Sequence, residues 1–192
     1  PLLLVFNSLH KGLLVEKNRF AYFFVSILMK QLFLIRHAKS SWDSPTLKDI
    51  DRPLNERGKK DAPSMAKRLA SQKIKLDALF SSNANRALST AQCFAEEFDI
   101  KKNDIIQIPE LYHANTSDFY DVIEQADDDL QNLAIFSHNP GITEFINELT
   151  DKKIMDMPTC GIFAIRIHSK SWKDFATATK DFWFFDFPKA EE

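Results

Sequence analysis

The chain reads as an α/β protein: a three-layer α/β/α sandwich with a mostly parallel central sheet and an antiparallel edge near the C-terminus. Three observations predict this. Apolar runs at Leu32 to Ile35, Leu76 to Phe80 and Leu133 to Phe136 are short, unalternating and bounded by polar turns, as in strands buried on both faces. Stretches with helical periodicity lie between them, the pattern of parallel strands joined by crossover helices. The last two apolar segments, Gly161 to His168 and Phe182 to Phe187, are separated only by a short stretch around Trp172 to Phe175, which suits antiparallel pairing.

Taken in order, Leu32 to Ile35 is the first strand, followed by a polar loop from Ser40 to Pro53 that carries Asp49, Asp51 and Arg52. Asn55 is a good cap for a helix running to Ser71, with Ala62, Met65, Ala66 and Leu69 inward. Pro63 is expected to kink or delay that helix. After the second strand, Asn85 to Phe98 forms a helix burying Leu88, Ala91, Cys93 or Ala95, and Phe98. Asp104 to Ile108 reads as a third strand and Ser117 to Gln125 as a helix with Phe119, Val122 and Ile123 inward. Leu133 to Phe136 leads into a helix from Ile142 to Leu149. No internal repeat or linker interrupts the pattern, so residues 29–192 are expected to form one domain.

Composition narrows the function. With Lys plus Arg at 25 against 27 for Asp plus Glu, the net charge is −2. A nucleic-acid partner is not expected, because no basic surplus exists to displace counterions. Cys93 and Cys160 lie far apart without metal-ligand spacing, which fits a reduced cytoplasmic protein. Phe20 to Met29, behind Lys17 and Arg19, has some character of a signal peptide but no small-residue cleavage site, and it is too short to span a bilayer. No membrane association is expected. Met29-Lys30-Gln31 looks like a natural start, so residues 1–28 are expected to be an upstream extension without function.

The chemistry sits where strands run into polar turns. Arg36-His37-Ala38-Lys39 follows the first strand, Ser81-Ser82-Asn83-Ala84-Asn85-Arg86-Ala87 the second, and Ser137-His138-Asn139-Pro140-Gly141 a later one. Open α/β sheets bind ligands at the carboxyl edge of their strands. Arg86 alone would pass for a solvated helix residue, and His138 for a turn residue. If these strands are parallel neighbours, however, one pocket gathers Arg36, His37, Arg86 and His138. Two guanidiniums and two imidazoles in a small volume are costly unless an anion joins them. A phosphoryl group is the natural occupant: arginine offers it a planar fork of donors, and histidine can attack phosphorus.

These segments resemble the histidine phosphatase superfamily, also called phosphoglycerate mutase-like, and within it the SixA-like phosphohistidine phosphatase branch. Arg36-His37-Ala38-Lys39 matches that branch, where alanine replaces the glycine of Arg-His-Gly. Asp51 to Gly58 resembles the family's Arg-Pro-Leu-Thr segment. Ser81 to Ala87, continued by Thr90-Ala91, resembles Ser-Ser-Pro-Ala-x-Arg-Ala, and His138 to Gly141 its His-Asn-Pro-Gly. Ser137 and Asn83 depart from the family's glycine and proline. The resemblance runs from Met29 to about Pro188. It implies that His37 is a nucleophile phosphorylated in turnover, with Arg36, Arg86, His138 and Ser82 binding the phosphoryl oxygens. It implies no metal and no cofactor.

The general acid stays open between Glu110 and His113 in Pro109-Glu110-Leu111-Tyr112-His113. An ill-defined acid suits expulsion of imidazole, whose conjugate acid titrates at about 6.5, better than expulsion of an alkoxide. The stretch between Arg86 and His138 leaves no room for a capping insertion. The expected substrate is therefore a phosphohistidine-bearing protein. The alternative is a phosphomonoesterase or mutase acting on a small phosphorylated metabolite. A binding module without turnover would not need a nucleophile.

Overall fold

The computed structural model describes residues 29–43 and 46–190; the expected extension over residues 1–28 lies outside the described residues. Six strands form one sheet in the order β3-β2-β4-β1-β5-β6: β1 (Lys30–Arg36), β2 (Ala78–Ser81), β3 (Ile106–Gln107), β4 (Asn132–Ser137), β5 (Ile162–Ile167) and β6 (Lys180–Asp186). The first four are mutually parallel, while β5 runs antiparallel to both β1 and β6. The expected fold class is what the chain forms.

Pleating explains the layers. Leu32 and Leu34 of β1, with Leu133 and Ile135 of β4, point to one face. There they meet Phe119 and Ile123 of α3 (Thr116–Glu124), and Ile142, Phe145 and Ile146 of α4 (Gly141–Leu149). Phe33, Ile35, Ala134 and Phe136 point to the other face. They pack on Met65, Ala66 and Leu69 of α1 (Glu56–Ser71) and on Ala91, Phe94 and Ala95 of α2 (Asn85–Glu97). Strands buried on both faces need apolar residues at every position, which is why the sequence shows runs there.

Several details differ from expectation. The helix containing Pro63 continues unbroken, because the ring lies on the exposed face and only one backbone donor is lost. In α2 the fully buried aromatic is Phe94, whereas Leu88, Cys93 and Phe98 are half-buried. The third strand shrinks to Ile106–Gln107, since Lys102–Asp104 closes into a 3₁₀ turn.

Register puts the functional turns side by side. Arg36 pairs with Ser137, and Ser81 with Phe136, so β2, β4 and β1 end together. The ladder extends one residue further, with the His37 amide donating to the Ser137 carbonyl at 3.1 Å and the Ser82 amide to the Phe136 carbonyl at 3.0 Å. His37, His138 and Ser82 thus occupy one edge. The first helix is docked against it: Asn55 caps α1 by accepting from the Gly58 amide at 2.9 Å, and its own amide donates to the Lys39 carbonyl at 3.0 Å.

Gly58 has no alternative there, because a Cβ would lie 2.1 Å from the Lys39 carbonyl oxygen. Gly58→Ala is expected to destabilise the protein by about 1–3 kcal/mol, read from urea denaturation, and to lower kcat/KM because Lys39 closes the turn that holds His37. A loss of only a few tenths would show that this close approach is dispensable.

Candidate active site

At this edge His37 is almost fully buried and is hydrogen-bonded at both ring nitrogens. Nδ1 lies 2.7 Å from the Ala38 carbonyl oxygen, an acceptor, so Nδ1 must carry the proton. Nε2 then holds the lone pair, and Arg86 Nε donates to it at 3.3 Å. The buried hydroxyl of Thr90 supports both partners: it accepts from the Ala38 amide at 2.9 Å and donates to the Arg86 carbonyl at 2.7 Å.

His138 faces His37 with ring centroids 4.9 Å apart. Its Nε2 lies 2.8 Å from Ser82 Oγ, which already accepts from the Ala84 amide. If Ser82 donates its proton to His138 Nε2, the ring hydrogen is on Nδ1. That Nδ1 is buried and has no partner, and neither has Nε of Arg36. Arg36 is otherwise held by Asp156, at 3.2 Å from Nη1, and by the Met157 carbonyl. A buried donor without a partner costs about 1–3 kcal/mol. Both side chains line the same hollow.

Both imidazoles are kept neutral. Burial pushes His37 down to about 3, helped by the Arg86, Arg36 and Arg52 guanidiniums and opposed by its bond to Ala38. Burial, then His37 and Arg86, push His138 to about 2. The hollow itself is small, about 140 Å³, and is lined by Arg36, His37, Lys39, Ser40, Trp42, Arg52, Arg86, His138, Asn139 and Thr159.

Not every expected residue reaches it. Ser82 lies fully buried behind His138 rather than on the hollow, so its contact is with the histidine and not with a ligand. Glu110 is exposed and lines a separate depression with Ile106 and Asp118. His113 is also exposed and leans on the Tyr112 ring, 3.9 Å between centroids. Neither candidate acid lines the hollow.

Residues that the sequence reading did not place also surround the site. Arg52 is buried. It donates to the Ser41 carbonyl at 2.9 Å, Ser40 Oγ at 2.7 Å and Asp49 Oδ1 at 2.7 Å, with Trp42 stacked over its guanidinium. Asp49 also accepts from Arg86 Nη2 at 2.9 Å and from the Tyr112 hydroxyl at 2.5 Å. The Tyr112 bond, then Arg52 and Arg86, hold its carboxyl well below the usual carboxylate range despite partial burial. The available signal was Arg52 in Arg52-Pro53-Leu54 with an aspartate three residues ahead. Among the described residues no cluster of three or more His, Cys, Asp or Glu side chains forms a metal site.

Such a site, at the carboxyl edge of a parallel sheet, defines a protein that handles phosphoryl groups. The comparisons agree. The model of the histidine phosphatase superfamily (branch 1) matches residues 32–126. The crystal structure of SixA from Agrobacterium tumefaciens superposes with a TM-score of 0.69 at 26% identity, over 83% of this chain and 98% of that one. The protein histidine phosphatase SixA in complex with tungstate superposes at 0.70 with 20% identity, over 82% and 97%. An uncharacterised chloroplastic protein of Arabidopsis thaliana is 28% identical over 155 residues, 77% of this chain and 71% of that protein. The chain belongs to the histidine phosphatase superfamily and is SixA-like in structure. That membership supports a phosphatase activity.

The neutral histidines have a pH signature. Their folded pKa values lie below the unfolded value of about 6.5, so between these limits the unfolded chain binds more protons. Their contribution to stability is complete above about pH 6.5 and is lost as pH falls toward about 3. In NMR titrations of the free protein, the His37 and His138 ring signals should stay flat from pH 8 to 5. An ordinary titration near 6.5 for either would contradict the buried, neutral assignment.

Proposed function

We propose that the protein is a phosphohistidine phosphatase, removing a phosphoryl group from histidine on another protein through a covalent intermediate on His37. The carrying observation is the lining of the hollow: cationic and neutral donors surround the His37 ring, and among the described residues no Asp or Glu lines the wall. Asp49, the carboxylate bonded to Arg86, is ionised and has no proton to give.

The chemistry follows from these positions. Substrate phosphoryl oxygens are bound by Arg36, His138 and Arg86, which line the hollow; the Arg86 Nε–H otherwise covers the His37 lone pair. His37 Nε2 then forms a bond to phosphorus while the bond to the substrate nitrogen breaks, its electrons staying on that nitrogen. The leaving ring departs as neutral imidazole when its distal nitrogen carries a proton, which solvent supplies near pH 7 because imidazole titrates at about 6.5. No acid in the wall is needed. An alkoxide would leave with a conjugate acid near water's pKa of about 15.7 and would need one.

The phosphorylated His37 keeps its Nδ1 proton, so the ring is cationic, and the Ala38 carbonyl 2.7 Å away favours that charge. Water then attacks phosphorus, the Nε2–P bond breaks, and the ring returns to its starting tautomer without moving a proton. The water's proton passes to phosphate. Phosphoryl transfer has a loose transition state, so placement and charge carry most of the catalysis. Dephosphorylating a histidine presented on another protein would act in signal transduction.

His37→Ala should abolish turnover while the melting temperature stays within a few degrees, and neutral quenching of the wild type should trap an acid-labile phosphoenzyme. Full activity in the variant would remove His37 from the mechanism. For the leaving group, kcat/KM on a phosphohistidine protein should exceed that on phosphoserine peptides or sugar phosphates by at least about 100-fold, or about 2.7 kcal/mol. Equal rates on both classes would favour a general phosphomonoesterase.

A further inference from the structure

We propose that Asp49 is a built-in counter-anion: it occupies Arg86 and Arg52 when the site is empty, and it limits how tightly the site holds phosphate so that product leaves. This deepens the phosphatase reading and rests on it.

The geometry is specific. Asp49 lies on the short turn Asp49–Asp51, with its side chain 44% exposed, yet three donors from separate parts of the chain converge on its carboxylate. Arg86 Nη2 approaches Oδ2 at 2.9 Å, Arg52 Nη1 approaches Oδ1 at 2.7 Å, and the Tyr112 hydroxyl donates to Oδ2 at 2.5 Å. The Asp49 backbone carbonyl takes Arg86 Nη1 as well, at 2.7 Å. One hydrogen of each terminal nitrogen of Arg86 therefore goes to this one residue, and its Nε–H to His37. A phosphoryl oxygen at Arg86 thus shares the guanidinium with the Asp49 carboxylate.

Charge gives the consequence. Arg36, Arg52 and Arg86 line a hollow of about 140 Å³. Three guanidiniums around so small a volume would hold a phosphate dianion strongly, before and after reaction alike. Uniform tight binding does not raise the rate once substrate is plentiful, and slow product release lowers it. A carboxylate fixed beside the arginines opposes the dianion by like charge. Asp156 stands in the same relation to Arg36, but its side chain is 69% exposed and touches only that arginine of the three. Solvent screens its charge more effectively.

The test is Asp49→Asn, which keeps shape and one acceptor while removing the charge, beside Asp49→Ala, which removes both. Binding of inorganic phosphate is measured by calorimetry, and kcat and KM are measured on a phosphohistidine protein. If Asp49 tempers affinity, both variants bind phosphate about tenfold more tightly, the discount from full Coulomb strength reflecting partial exposure. KM and kcat then fall together. If Asp49 only orients Arg86, phosphate binding weakens, most in the alanine variant, and KM rises; that result overturns the proposal, as does unchanged binding. A wild type that neither binds phosphate at millimolar concentration nor turns over any phosphorylated substrate would sink the phosphatase reading and this inference together. Wild-type binding and turnover without tightening in the variants would sink the inference alone.

Discussion

Everything at this sheet edge is arranged around the repulsion between three guanidiniums and two imidazoles in one small hollow. Left unmanaged, that charge would spread the turns apart. The structure manages it in two ways. The imidazoles are buried deeply enough to stay neutral, which removes two potential cations. The guanidiniums are each tied to an oxygen from elsewhere in the chain: Arg86 and Arg52 to Asp49, Arg36 to Asp156 and the Met157 carbonyl. Neutral histidine is also the form with a lone pair, so the electrostatic solution and the chemical requirement coincide.

The scaffold delivers these groups with little freedom. Parallel β1, β4 and β2 terminate in register, and the next residues continue the ladder through backbone hydrogen bonds. From the other side, β5 runs back along β1 and brings Cys160 to donate its amide to the Arg36 and His37 carbonyls at 3.1 and 3.2 Å. Cys160 adopts a left-handed φ of 60° to do so. His37 and Arg36 thus stand at a strand end and Arg86 at a helix start, while Arg52 comes from the loop folded over the edge.

Much of this was legible in the sequence, for identifiable reasons. Strands such as Leu133 to Phe136 announce themselves because both faces are covered, and Asn55 marks a helix start because its side chain satisfies a free amide. His37, Arg36, Arg86 and His138 were found because each directly follows or flanks a strand end. Asp49, Arg52 and Tyr112 were not placed, because their convergence spans residues 49 to 112 and depends on how a loop folds over the edge. Glu110 and His113 were nominated by local position after the third strand. The turn at Pro109–Leu111 sends one of them to a different depression and stacks the other on Tyr112. Periodicity cannot report such a direction. Phe94 was passed over for a similar reason: in α2 several apolar residues compete for the inward stripe, and tertiary packing chose among them.

The Thr90 hydroxyl joins the turn after β1 to the first turn of α2, accepting from Ala38 and donating to Arg86. Its consequence is mechanical. The backbone beside His37 and the backbone of Arg86 are tied to a single oxygen, so the helix cannot shift against the sheet at this point without breaking one of these two bonds.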